Sequence, residues 1–160
     1  MLKKIGMLVL FSTLAAGCAS VPLETAQINK VAKQFDPPSD GKAGLYIYRN
    51  TFYGGAAHTD VMVDGHCIGS SAPYVFFYEE VEGDKSYKVS TKFPWEESPD
   101  PDNDLLIKVK SGMHYFFEQY LRMLGGTGVE LVDEEQGKEE VSKLDMAAKG
   151  TCRRSRSAPD

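Results

Sequence analysis

Between Gly44 and Val132 the chain alternates apolar and polar residues in short runs separated by turn residues, the pattern of half-buried strands. Gly44 to Arg49 opens the series. Leu45 and Ile47 alternate there with Tyr46 and Tyr48, which suits a strand covered in part on both faces. Val61 to Val63, Asp64-Gly65 and Cys67-Ile68 form an Asp-Gly hairpin signature. Tyr74 to Tyr78 supplies a further apolar strand. Lys85 to Lys92 sets Tyr87, Val89 and Thr91 on one face, with Lys88 and Ser90 on the other. Leu105, Ile107 and Val109 alternate with Lys108 and Lys110. Tyr115 to Leu124 is rich in aromatics, Gly125 to Gly128 makes a tight turn, and Val129 to Val132 closes the series. The spacing predicts an all-β, mainly antiparallel fold: a β-sandwich of about seven strands.

Two short helices flank it. Ile28, Val31 and Phe35 recur at helical spacing between Pro22 and Phe35, and Pro37-Pro38 forbid continuation. This segment reads either as a stalk or as a helix laid on the sheet. Asp133 and Gln136 resemble a capping box opening a C-terminal helix that carries Val141 and Leu144. Gly137 costs that helix about 1 kcal/mol relative to Ala.

The N-terminus has a different pattern. Lys3 and Lys4 precede a mostly apolar run from Ile5 to Ala16, too short for the ~20 residues of a membrane span. Ala15, Ala16 and Gly17 then lead into Cys18, an arrangement that resembles the lipobox of bacterial lipoproteins, with Leu14 one place further back than usual. That resemblance implies a signal peptide over 1–17, fatty-acyl chains (palmitate among them) on Cys18, and a membrane anchor. Ala19, where Asp would signal inner-membrane retention, points to the outer membrane with the protein facing the periplasm. The expected divisions are 1–17 signal peptide, 18–40 lipid-anchored stalk or helix, 41–152 sandwich with its helix, and 153–160 disordered tail.

Charge narrows the partners. Of 18 basic residues, loss of Lys3 and Lys4 leaves 16 against 23 acidic ones. An acidic protein lacks the clustered cations that nucleic acid requires, so no nucleic acid is expected. With Cys18 acylated, Cys67 and Cys152 remain in an oxidising compartment and are expected to pair as a disulfide. A nucleophilic Cys67 beside His66 is the weaker reading, since strand neighbours point to opposite faces.

A further resemblance covers roughly residues 31 to 145. Val31-Ala32-Lys33-Gln34-Phe35, Gly41 to Arg49, Val63-Asp64-Gly65 with Ile68-Gly69, and Met113 to Phe116 after Ser111-Gly112 resemble the uncharacterised bacterial lipoproteins with domain of unknown function 2846. The resemblance implies a periplasm-facing, β-rich lipoprotein and carries no activity with it.

Chemical motifs are sparse. Asp100, Asp102, Asn103 and Asp104 gather oxygen atoms but lack the EF-hand's Gly and Glu positions. His58, His66 and His114 lack the close spacing of zinc ligands. Gly125-Gly126-Thr127-Gly128 lacks a phosphate-loop lysine, and no G-x-S-x-G occurs. The expectation is therefore no enzyme, no metal and no cofactor. Phe52, Tyr53 and Trp95 sit among turn formers and make a candidate binding patch for an envelope protein or glycan; folded inward they would instead be lids on the core. The alternatives to such a binding lipoprotein are a structural or stress-related lipoprotein without specific ligand, and a hydrolase with an unrecognised site.

Overall fold

Asp64 and Gly65 take φ of 49° and 75°, the left-handed pair a two-residue hairpin turn needs, and they join β2 (Thr59–Val63) to β3 (His66–Ser71). The computed structural model describes residues 20–123, 125–150 and 152, so the expected signal peptide, Cys18 and the tail lie outside the described residues. The remaining strands are β1 (Lys42–Arg49), β4 (Val75–Glu82), β5 (Ser86–Lys92), β6 (Leu105–Lys108), β7 (His114–Leu121), β8 (Thr127–Val132) and the two-residue β9 (Asp145–Met146). They form two sheets, ordered β8-β7-β1-β4-β9 and β3-β2-β5-β6. The fold is the all-β, mainly antiparallel sandwich expected. Two parallel pairings, β1 with β7 and β4 with β9, are additions that alternation cannot reveal.

The sheets face each other over one core, with Leu45, Ile47, Val61, Val89, Phe77 and Phe117 among its buried members. The outer face of the five-stranded sheet carries Tyr46, Tyr48, Phe76 and Phe116, and it is covered by helices. The second face of β1 is thereby accounted for. Helix α1 (Ala26–Ala32) is shorter than the expected Pro22 to Phe35. Thr25 caps it, and Phe35, at φ 53°, has already left the helix before the prolines are reached. Of its apolar residues Ala32 is buried, whereas Ile28 and Val31 remain half exposed. Phe35 packs on Tyr46 and Phe116, with ring centroids 5.4 and 6.0 Å away. The Tyr46 hydroxyl donates to the Ala32 carbonyl at 2.8 Å, so this segment lies on the sheet.

Helix α2 (Glu134–Ser142) starts at Asp133, whose carboxylate accepts from the Gln136 amide at 2.9 Å. Gly137, a weakness when judged by propensity, has a packing reason. A Cβ at that position would overlap the Phe116 ring, so glycine lets α2 lie flat on the sheet. Cys67 and Cys152 form the expected disulfide, with Cα atoms 5.7 Å apart. It fastens the chain beyond β9 to the first residues of β3, next to the Gly150 amide's bond to the Ile68 carbonyl.

Candidate functional site

Strand directions sort the connections into two ends. The first, here the loop end, collects the β1–β2 loop (50–58), the β3–β4 turn (72–74), the β5–β6 loop (93–104) and the short connection between β7 and β8. The described N-terminus is there too: Ser20, Val21 and Leu23 border a depression shared with Ala72, Pro73, Tyr74 and Asp145. The second, the turn end, holds the tight connections at Ser39–Gly41, Asp64–Gly65, Gly83–Lys85 and 109–113.

Long loops need support from below, and at the loop end it is polar and buried. Arg49 ends β1 with no exposed surface. Its guanidinium donates to the carbonyls of Ala57 (2.8 Å), Tyr53 (2.7 Å) and Gly54 (3.0 Å), gathering the β1–β2 loop around one cation. Burial lowers the Arg49 pKa from its ordinary value, and three carbonyl dipoles directed at the charge compensate for the lost water. Lys92, at the end of β5, likewise donates to the Glu96 carbonyl at 2.7 Å and lies 4.0 Å from the carboxylate of Asp60, its cross-strand neighbour. The Glu96 carboxylate accepts from the Phe93 amide at 2.6 Å. Between the sheets Gln119 bonds to Thr59, and Thr127 lies 3.1 Å from Thr91, so hydroxyls and an amide replace methyl groups at this end of the core. Ser90 and Lys92 are also buried, on the face of β5 opposite Val89 and Thr91, where alternation places Ser90.

On this base the three candidate residues point outward. Phe52 is 55% exposed, Tyr53 49% and Trp95 67%. Each is held by its own loop. Trp95 stacks on buried Phe93 with centroids 4.5 Å apart and planes 6° from parallel. Phe52 lies over Gly55, where a Cβ would strike its ring, and the Tyr53 amide donates to the Thr51 hydroxyl at 3.1 Å. Leu23 and Tyr74, which the sequence analysis did not select, share this end and are about half exposed. The missed organiser is Arg49, and its signal was an arginine closing an otherwise apolar strand directly before a glycine-containing loop.

The acidic stretch serves the loop itself. Asp100 caps the 3-10 turn Pro101–Asn103, accepting from the Asp102 amide (3.1 Å) and the Asn103 side chain (2.8 Å), while Asp104 pairs with Lys88 at 3.0 Å. Among the described residues no three His, Cys, Asp or Glu side chains gather as a metal-binding group. His114 is half buried against Tyr46, and burial lowers its pKa. A flank groove of about 310 Å³ runs between α1 and the sheet, lined by Ile28, Val31, Tyr46, Tyr78 and Glu80. Its polar atoms bond within the protein: the Tyr78 hydroxyl donates to Glu80 at 3.0 Å, and Glu80 also accepts from the Ser39 amide.

Comparison with known proteins adds kinship without an activity. The family model described as a protein of unknown function (DUF2846) matches residues 39–132, which include the Gly41 to Arg49, Asp64-Gly65 and Met113 to Phe116 motifs and begin after Val31 to Phe35. A relative from Haemophilus influenzae, described as an uncharacterized protein, is 43% identical over 137 residues, covering 84% of this chain and 78% of its own length. No solved structure matches. With the family model spanning more than half of the chain and a close relative most of it, the chain belongs to the DUF2846 family.

Proposed function

We propose that the protein is a non-catalytic lipoprotein of the bacterial envelope, anchored through Cys18 in the outer membrane and facing the periplasm, that works by surface contact at its loop end. The observation that carries the contact reading is the outward placement of Phe52, Tyr53 and Trp95 on loops pinned from beneath by Arg49 and Lys92. Rigid, exposed aromatic rings are the commonest anchors of binding surfaces. The terminal nitrogens of Arg49 and the Lys92 ammonium beneath them donate to backbone carbonyls, which supports binding over catalysis. The Cys67–Cys152 disulfide supports an oxidising compartment. Envelope proteins and glycans are the partner classes that such rings suit.

Crosslinking in intact envelopes tests the reading. A photo-reactive phenylalanine analogue replacing Tyr53 should give an adduct, whereas the same analogue replacing Asp64 at the turn end should give little. Equal yields from both positions would remove the distinction on which the proposal rests. Intact mass of the envelope-extracted protein checks the anchor independently: acyl mass on Cys18 is expected, and Cys18→Ala should release the chain from the membrane fraction.

A further inference from the structure

Both described helices pack on the five-stranded sheet, yet part of the outer face of the four-stranded sheet is also shut from water. Val61 and Val89 face the core, so alternation puts Asp60, Ser90 and Lys92 on that outer face. Asp60 sits directly across from Ser70 on β3 and from Lys92 on β5. Asp60 and Ser90 have no exposed surface, and Lys92 keeps only 7%. Charged and hydroxyl side chains on an outer sheet face ordinarily meet water, so this burial calls for a cover.

The disulfide brings one end of the chain to the place. The Cys152 sulfur lies 3.8 Å from the Val61 carbonyl oxygen and 3.9 Å from that of Gly69, over the ladder between β2 and β3. The Phe77 ring fills the core side of Gly69, so the sulfur approaches this pair from outside. Asp60 is the next residue along β2, about 3.3 Å on, and Ser70 the next along β3. After Cys152 the sequence continues Arg153-Arg154-Ser155-Arg156. Two residues extend at most about 7 Å, so the first two arginines begin within reach of the buried carboxylate.

We propose that Arg153 to Arg156 form a strap over the outer face of the four-stranded sheet, with the Arg153-Arg154 pair seated on Asp60 and the disulfide as its clasp. Reach and charge both select this occupant. Two lysines share the face, and each has a bond of its own: Lys88 pairs with Asp104 at 3.0 Å, and Lys92 donates to the Glu96 carbonyl at 2.7 Å while staying 4.0 Å from Asp60. A guanidinium suits a carboxylate held away from water, because it bonds through parallel N–H groups and is weakly hydrated. The strap is independent of the anchor and of the loop-end contact. It gives the Cys67–Cys152 pair a task besides closing a loop, which is to deliver three cations to a face that buries an acid.

Limited trypsin digestion of the full, oxidised chain tests the strap, with loss of C-terminal mass followed beside a synthetic peptide of residues 149–160 blocked at Cys152. Cleavage after Arg154 and Arg156 should be about tenfold slower in the protein than in the peptide, and Asp60→Asn should restore the peptide's rate. Hydrogen exchange supplies a readout that leaves Asp60 in place. Arg153→Gln with Arg154→Gln should speed exchange several-fold over 59–63 and 88–92, and leave 45–48 at the wild-type rate. Clipping of the oxidised wild type at the peptide's rate, or exchange unmoved by the arginine substitutions, overturns the strap. Slow clipping that survives Asp60→Asn overturns the seat on that carboxylate. Faster exchange that includes 45–48 reports loosening of the whole sandwich and overturns the local cover.

Discussion

The two ends of the sandwich solve the same problem differently. At the turn end each connection is short and bonded directly to its neighbours. The Gly83 amide donates to the Gly41 carbonyl at 2.8 Å, the Gly112 amide to Lys42 at 2.7 Å, and the Ser111 hydroxyl to Asp84 at 2.7 Å. The Asp64 carboxylate accepts from the Lys88 amide at 2.7 Å. At the loop end the β1–β2 and β5–β6 loops are too long for mutual zipping, and buried cations hold them from within. Tight turns leave little surface free for anything but closing the sheet. Supported loops can present rings, and here they present Phe52, Tyr53 and Trp95. The difference locates function at the loop end through the cost of maintaining it: a buried guanidinium is hard to keep unless the loop it organises has a use.

That contrast can be broken from either side. The largest effect belongs to the disulfide, which starts at Cys67 beside the Asp64-Gly65 turn. Cys67→Ser with Cys152→Ser removes a long loop closure and should cost up to about 4–5 kcal/mol in denaturant unfolding. Arg49→Met comes next. It strands three carbonyls that now accept from the guanidinium, and should cost about 3 kcal/mol, with faster proteolysis confined to 50–58. If Arg49→Met unfolds no more readily than wild type, the loop end is not held by that cation. Gly83→Ala should cost about 2 kcal/mol, because a Cβ there meets the Ser111 Cα at 2.6 Å and the backbone must move.

Acid offers a milder probe. Burial holds the His114 pKa below its ordinary value of 6.5, with Lys138 lowering it further against the opposing influence of Glu134 and Glu80. Below pH 6.5 the unfolded chain takes up a proton that the folded chain resists. Stability should therefore fall with pH from 6.5 down to the lowered folded pKa and be insensitive to this group above 6.5. In unfolding measured against pH, His114→Gln should remove this part of the slope and leave the loops untouched.

Much of this architecture is legible in the residues. The Asp64-Gly65 hairpin, the Asp133 cap and the alternation of β1 follow from local rules, because turn geometry and strand period act within a few residues, whereas the Cys67–Cys152 pairing follows from the cysteines left once Cys18 is set aside. The parallel pairing of β1 with β7 joins positions such as Leu45 and Tyr115, and nothing local encodes it. Gly137 looks like a flaw until Phe116, 21 residues earlier in the chain, is placed against it. Ser90 and Lys92 alternate as if solvated, yet both are buried, Lys92 beside Asp60. The exposed rings were found from their turn-forming neighbours; the arginine beneath them was missed because its partners are carbonyls, which every residue has.

The central claim is that the loop-end rings form a surface for contact and contribute little to the core. The triple variant Phe52→Ala, Tyr53→Ala, Trp95→Ala tests it directly in a denaturant melt of the full chain. The account predicts a midpoint close to wild type, a loss of about 1 kcal/mol or less, since about half or more of each ring already faces water. A loss of several kcal/mol, the cost of emptying a packed core, would contradict it.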